Sequence, residues 1–160
     1  MSFGSVVIVI ISFLVALLLS ILPLPVWLTL IQPRWVVLVV IYWIIALPHR
    51  FSLGVAWILG ILLDVLYGTV LGEHALALSV VAFIAQRLHR QIRMFPAMQQ
   101  AFSIFLLIIV YEGLLLWIQG MLGQLGSNAR WFWASGLTSM LFWPWVHNLL
   151  HTCQRRFRVY

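Results

Sequence analysis

Long apolar runs, separated by short polar breaks, make up almost the whole of this 160-residue chain. Hydrophobic residues account for 64% of it and charged residues for 8%, whereas a soluble domain carries about 25% charged residues. Nine basic and three acidic side chains cannot supply the polar shell that a water-soluble fold needs. This composition excludes a cytosolic enzyme, a disordered chain and a soluble nucleic-acid-binding protein. It predicts an all-α integral membrane protein with one domain over residues 1–160.

Six apolar segments are candidates for membrane-spanning helices, because a span needs about 20 mostly apolar residues. They cover residues 6–22, 35–47, 53–70, 75–88, 101–122 and 129–150. The second and fourth segments are short. The second reaches spanning length only if its helix continues backwards through Pro33. Pro144 predicts a bend in the last segment.

The distribution of arginine selects one topology for these segments. If the N-terminus is cytoplasmic and all six segments cross, Arg34 and Arg130 face outwards and the other seven arginines face the cytoplasm. The positive-inside rule therefore predicts a bundle of six transmembrane helices with both termini in the cytoplasm. The seven are predicted to contact anionic lipid headgroups or a cytoplasmic partner, and they are Arg50, Arg87, Arg90, Arg93, Arg155, Arg156 and Arg158.

Asp64 lies within the third predicted span, where an ionisable group is costly to bury. It belongs to a row of residues that are each four apart: Gly60, Asp64, Gly68 and Gly72. On a single helix this row forms a narrow stripe, whose glycines would admit the backbone of a neighbouring helix. Three roles remain open for the stripe: a docking surface for a partner helix, a proton-coupled site, or packing inside the bundle.

Glu112 is the other acidic residue within a predicted span, and no arginine is expected at its depth. Neither Glu112 nor Asp64 therefore has an expected ionic partner. Both are predicted to take up a proton or to accept hydrogen bonds from Tyr, Ser or Gln. An intramembrane aspartyl protease is disfavoured, because neither carboxyl has a recognised catalytic context.

Other catalytic and ligand-binding signals are weak. His147 and His151 are four residues apart, as helix-borne metal ligands are, but the only third ligand nearby is Cys153. They are therefore interpreted as polar residues at the membrane interface. The chain contains no Gly-rich phosphate loop, no HExxH motif and no nucleophile elbow. The sequence predicts no enzyme, no metal and no cofactor.

Three stretches of the chain carry a family resemblance: RWVVLVVIYWIIALPHR, GILLDVLYGTVLGEHAL and LFWPWVHNLLHTCQRRF. The second is the most specific, since it contains Gly60, Asp64, Gly68, Leu71 and Gly72. Together they resemble the MreD family of rod shape-determining proteins, over residues 14–157.

The resemblance implies a multi-pass, non-enzymatic protein of the bacterial inner membrane, within the complex that elongates the cell. Such a protein helps to keep peptidoglycan synthesis on the side wall and maintains rod shape. The implied principal partner is MreC, through its transmembrane helix. RodA, its class B penicillin-binding transpeptidase, MreB and RodZ are implied in the same complex. The candidate partner or packing residues are Gly60, Asp64, Gly68, Gly72 and Glu112.

A second function stays open, because the family is also similar in fold to the six-helix substrate-binding subunits of energy-coupling-factor transporters. The chain would then be a solute-binding membrane subunit. Against this alternative, the outer loops are short and are expected to lack a convergent set of polar side chains.

Overall fold

The computed structural model describes residues 3–126 and 129–156, and every regular element in these two ranges is helical. The prediction of an all-α chain is confirmed. A 3-10 turn at Ala129–Trp131 precedes the last helix. The α-helices are α1 (Phe3–Ile21), α2 (Val26–Thr29), α3 (Trp35–Ala46), α4 (Leu53–Tyr67), α5 (Glu73–Met94), α6 (Ala97–Met121) and α7 (Phe132–Arg156).

The long helices alternate in direction between two ends of the molecule, which differ in charge. One end is the acidic end, where α3, α5 and α7 begin and where Asp64, Glu73 and Glu112 find their partners. The opposite end is the Arg-rich end, where α4 and α6 begin. It holds Arg50, Arg87, Arg90, Arg93, Arg155 and Arg156. Arg158 lies outside the described residues.

Helix α3 is the centre of the bundle and is buried on every side. All residues from Val36 to Ile45 are buried, against α1, α5, α6 and α7. Its 12 residues extend about 18 Å, well short of the roughly 30 Å of a bilayer's hydrocarbon core. Because protein rather than lipid surrounds α3, its sequence is apolar throughout, without a polar face.

The predicted backward extension of this helix through Pro33 is wrong. Residues 30–34 are not helical, and α2 is a separate turn of four residues. Pro33 disfavours helical geometry in the residue before it and cannot donate a backbone hydrogen bond. The backbone N–H of Arg34 instead donates to the Ser139 hydroxyl at 3.1 Å, so the chain enters α3 from within the bundle.

The apolar exterior of the bundle suits a membrane, although the helices differ in length. Among the described residues, only Ala97–Met121 is both long and apolar enough to cross a bilayer unaided. Shorter apolar helices occupy Val6–Ile21, Trp35–Ala46 and Leu53–Tyr67. Six crossings with a cytoplasmic N-terminus therefore stay a prediction. The bend at Pro144 also stays one, since α7 is a single helix through that residue.

Candidate functional site

The glycine–aspartate row does not lie on one helix, so the predicted stripe is wrong. Helix α4 ends at Tyr67, and Gly68 follows with a φ of 65°. Gly72 has a φ of 102° and precedes the first residue of α5. This left-handed backbone geometry favours glycine and ends a helix. Gly68 and Gly72 therefore form the α4–α5 turn, and Asp64 lies in the last turn of α4 rather than at the middle of a span.

Asp64 caps the beginning of α5 with both of its carboxylate oxygens. Oδ2 accepts the backbone N–H of Gly72 at 2.8 Å, and Oδ1 accepts the backbone N–H of His74 at 2.8 Å. Oδ1 also lies 2.8 Å from the His74 Nδ1 atom and accepts the Thr69 hydroxyl at 3.1 Å. The helix N-terminus favours a negative charge at this point. We infer that Asp64 is an ionised cap. Of the two alternatives that the sequence left open, it accepts hydrogen bonds, although its donors are mainly backbone N–H groups.

Gly60 provides the close helix contact that the sequence predicted. The contact joins α4 to α5 of the same chain rather than to a partner helix. A Cβ atom added at Gly60 would lie 2.2 Å from the Ala75 Cα atom. The absence of a side chain thus lets the backbones of α4 and α5 touch, one turn before the Asp64 cap. Gly60 and Asp64 together fasten the two helices at the acidic end.

Glu112 has an ionic partner, contrary to the sequence-based expectation. Its Oε1 atom forms an ion pair with Nε of Arg34 and accepts a hydrogen bond from the Ser135 hydroxyl at 3.2 Å. The Glu112 side chain is 7% exposed and that of Arg34 is 33% exposed. The expectation failed because it treated Arg34 as the end of a surface loop. The non-helical approach to α3 instead carries Arg34 down to the level of Glu112.

A polar cavity of about 330 Å³ opens beside this ion pair at the acidic end. Its polar lining includes Arg34, Thr69, His74, Glu112 and Gln119. Gln119 also donates to the Glu73 carboxylate at 2.5 Å. The acidic end therefore holds a cluster of polar side chains, and most of them lie on helices rather than on the outer loops. These side chains largely bond to one another, which makes the cluster structural in the first instance.

The Arg-rich end contains two adjacent cavities. One has a volume of about 390 Å³ and is lined by His49, Arg50, His89 and Arg90, among others. The other has a volume of about 760 Å³ and extends between α3, α6 and α7. Arg93 lines both cavities, as do Ala46 and Leu47. Arg87, Arg90 and Arg93 all lie on α5, which extends beyond the predicted span to Met94.

A fourth concavity, the lateral groove, faces outwards between α1 and α7 and has α3 as its floor. It has a volume of about 340 Å³ and is almost wholly apolar. Its walls are Ile8, Ile11, Val15 and Leu19 on one side and Trp145, Val146, Leu149 and Leu150 on the other, with Trp35 and Val39 beneath.

His147 and His151 lie at the Arg-rich end, with ring centroids 5.9 Å apart and nearly parallel planes. Within residues 3–126 and 129–156, no three His, Cys, Asp or Glu side chains are grouped as ligands of one metal ion. The pair instead lines the larger basic cavity.

Comparison with known proteins assigns the family. The model of the family described as rod shape-determining protein MreD matches residues 1–153. The rod shape-determining protein MreD of Haemophilus influenzae is 29% identical over 151 residues, which cover 92% of this chain and 91% of that protein. No solved structure matches the chain. Since the family model spans nearly the whole sequence, the chain belongs to the MreD family of rod shape-determining proteins.

Proposed function

We propose that this chain is a non-enzymatic, multi-pass component of the bacterial inner membrane that binds MreC in the cell-elongation complex. Through MreC it would work with RodA, its class B penicillin-binding transpeptidase, MreB and RodZ to keep peptidoglycan synthesis on the side wall. Membership of the MreD family supports the role in cell shape. The lateral groove is the observation that carries the proposed mode of binding.

The lateral groove suits one apolar helix. Residues 8–19 of α1 form a wall about 16 Å long, which is three turns of a helix lying alongside. Its polar lining is confined to Ser12 and Cys153. The Ser12 hydroxyl donates to the Val9 carbonyl and accepts from Trp43 Nε1 at 2.9 Å. It therefore needs no hydrogen bond from a partner helix. Within lipid, helices associate by close packing, and a concave apolar surface provides it.

In our proposal, the glycine–aspartate row contributes to this function through contacts within the chain, not by touching the partner. Gly60, Asp64, Gly68 and Gly72 hold the α4–α5 hairpin together, and Glu112 holds the entry to α3. A rigid bundle keeps the walls of the lateral groove at a fixed spacing. The docking surface that we propose for a partner helix is therefore the lateral groove between α1 and α7 rather than the predicted stripe on α4.

Two neighbouring isoleucines on α1 give a matched test. Ile11 lines the lateral groove and is 51% exposed, whereas Ile10 is 52% exposed and lies outside the groove. Ile11→Trp should fill the groove and lower the capture of MreC in mild detergent, while Ile10→Trp should leave capture unchanged. Both variants keep an apolar outer surface, so their yields should match.

Replacing the transmembrane helix of MreC gives the reciprocal test. An unrelated apolar helix of equal length, joined to the same periplasmic domain, should no longer co-purify with this chain. Undiminished capture of that chimera, or equal capture by Ile10→Trp and Ile11→Trp, would show that contacts outside the membrane hold the complex together.

The polar cavity at the acidic end favours a second candidate function, a solute-binding subunit of an energy-coupling-factor transporter. Its volume of about 330 Å³ and its polar lining suit a small ligand. Against this candidate, Arg34 and Glu112 neutralise each other at its wall. Co-purification with a paired ATPase, in place of MreC, would select the transporter function.

A further inference from the structure

We propose that the two cavities at the Arg-rich end form one binding site for an anionic membrane lipid whose headgroup carries two phosphates. Arg93, which lines both cavities, would lie between the two phosphates. The site is independent of the lateral groove and of MreC binding. It requires only that the Arg-rich end lies at the membrane surface, where such headgroups are present.

The first argument is uncompensated charge. The chain has three acidic side chains, and all of them bond with partners elsewhere: Asp64 with His74, Glu73 with Gln119, and Glu112 with Arg34. In the part of the chain that the structure describes, neither ion pair involves an arginine of the Arg-rich end. None of the three side-chain carboxylates is thus paired with these guanidinium groups, which leaves them able to bind an anion from outside the chain.

The second argument is the shape of the surface. Arg87 lies outside both cavities, with its guanidinium carbon 5.2 Å from the centroid of the Phe83 ring. Arg50, Arg90 and Arg93 instead line the smaller cavity, and Arg93 and Arg155 line the larger one. Guanidinium groups bind phosphate through paired N–H donors. Cationic groups on both sides of Arg93 fit two phosphates better than one.

The larger cavity offers further donors. Helix α6 begins at Ala97, on the cavity wall, and has no side-chain cap, so N–H groups of its first turn are available to an anion. His147 and His151 also line this cavity.

The third argument distinguishes a lipid from a soluble phosphate. The α5–α6 turn beside the cavity exposes Met94, Phe95 and Met98 at 85%, 40% and 77%. Phe95 itself lines the larger cavity, together with Ile45 and Leu47. Apolar side chains next to a cluster of arginines suit an amphiphile whose acyl chains remain in the bilayer. Basic pockets between helices at the cytoplasmic surface bind lipids such as cardiolipin in this way.

The test measures lipid binding by the purified full-length chain in detergent, by native mass spectrometry and thermal unfolding. The probes are cardiolipin, phosphatidylglycerol, phosphatidylethanolamine and inorganic pyrophosphate. We expect cardiolipin to bind most tightly and to raise the unfolding temperature. Arg93→Gln should weaken cardiolipin binding about tenfold, and Arg93→Lys should weaken it less because the charge remains.

Arg87→Gln is the matched control, since it removes one arginine from the same helix outside both cavities. An equal loss of cardiolipin binding in Arg87→Gln would overturn the proposal in favour of diffuse surface attraction. Equal binding of pyrophosphate would assign the site to a soluble phosphate. Equal binding of phosphatidylethanolamine would show that the site does not select anions. If Arg93→Gln keeps cardiolipin but loses a co-purifying acidic protein, the Arg-rich end docks a protein instead.

Discussion

At the scale of single residues, the side chains singled out in the sequence matter, but for reasons that spacing does not reveal. Asp64 was predicted to be a membrane carboxyl in a stripe, and it is the cap of the next helix. Glu112 was predicted to lack an ion pair, and it binds Arg34 across 78 positions of sequence. Spacing along one helix carries no information about such partners, because they come from other elements. Only the cost of burying a charge indicated that partners must exist.

Asp64→Asn should destabilise the protein substantially. The amide can replace Oδ1 as an acceptor, but its NH₂ group would then face the Gly72 N–H, which is 2.8 Å from Oδ2. We expect a loss of about 1–3 kcal/mol in the free energy of unfolding, measured by denaturant titration in detergent micelles.

Glu73→Gln is the control for Asp64→Asn, because it makes the same chemical change at a neighbouring buried carboxylate. Its amide oxygen can still accept from Gln119, so the loss should be much smaller. If Asp64→Asn costs no more than Glu73→Gln, Asp64 is protonated and is not an ionised cap.

Gly60→Ala should force α4 and α5 apart, because the new methyl group would lie 2.2 Å from the Ala75 backbone. We expect a loss of about 1–3 kcal/mol, again from unfolding in micelles. Gly113→Ala provides the comparison, since a Cβ at Gly113 meets nothing within 4 Å and a helix interior favours alanine. That variant should be neutral or slightly stabilised. Equal losses in the two variants would contradict the close approach of α4 and α5.

At the scale of elements, the sequence predicts most of the helices and misjudges how they end. Apolar runs located every long helix, because the length and hydropathy of a segment are local properties. The runs could not show that Gly68 turns the chain or that residues 30–34 leave the helix. Helix α5 was predicted too short, since its last two turns carry arginines and are polar. Hydropathy detects the apolar part of a helix rather than its hydrogen-bonded length.

The ion pair between α6 and the entry to α3 should behave as a unit. Glu112→Gln removes the negative charge that neutralises Arg34, and Arg34→Gln removes the positive charge that neutralises Glu112. Each single variant should lose about 1–3 kcal/mol, with the lower figure favoured because Arg34 is partly exposed. The double variant should lose less than the sum of the two, as a double-mutant cycle of unfolding free energies would show. Strict additivity would mean that the pair does not form in the membrane.

At the scale of the whole molecule, charge is divided between the two ends. The described arginines number six at the Arg-rich end, while Arg34 and Arg130 share the acidic end with all three carboxylates. The sequence-based topology grouped these same arginines, since the positive-inside rule and the alternation of helices give the same division. Which end faces the cytoplasm remains a prediction of that rule.

Cysteine labelling in intact and permeabilised cells should reveal the orientation. In a Cys153→Ser background, Met98→Cys at the α5–α6 turn should react only after permeabilisation. Gln124→Cys, which follows α6 at the acidic end, should react in intact cells with a reagent that does not cross the inner membrane. Labelling of both positions from the same side would show that α6 does not cross the membrane.

The short, fully enclosed helix α3 has a consequence for how the chain enters a membrane during synthesis. Helix α3 is only about 18 Å long and has an arginine at its start, so on its own it should insert poorly into the bilayer from the translocon. Its first contacts are with α1, which precedes it along the chain. The two helices are therefore expected to leave the translocon as one hairpin. Until α5 and α7 have been made, the far side of α3 has only lipid or a chaperone to cover it.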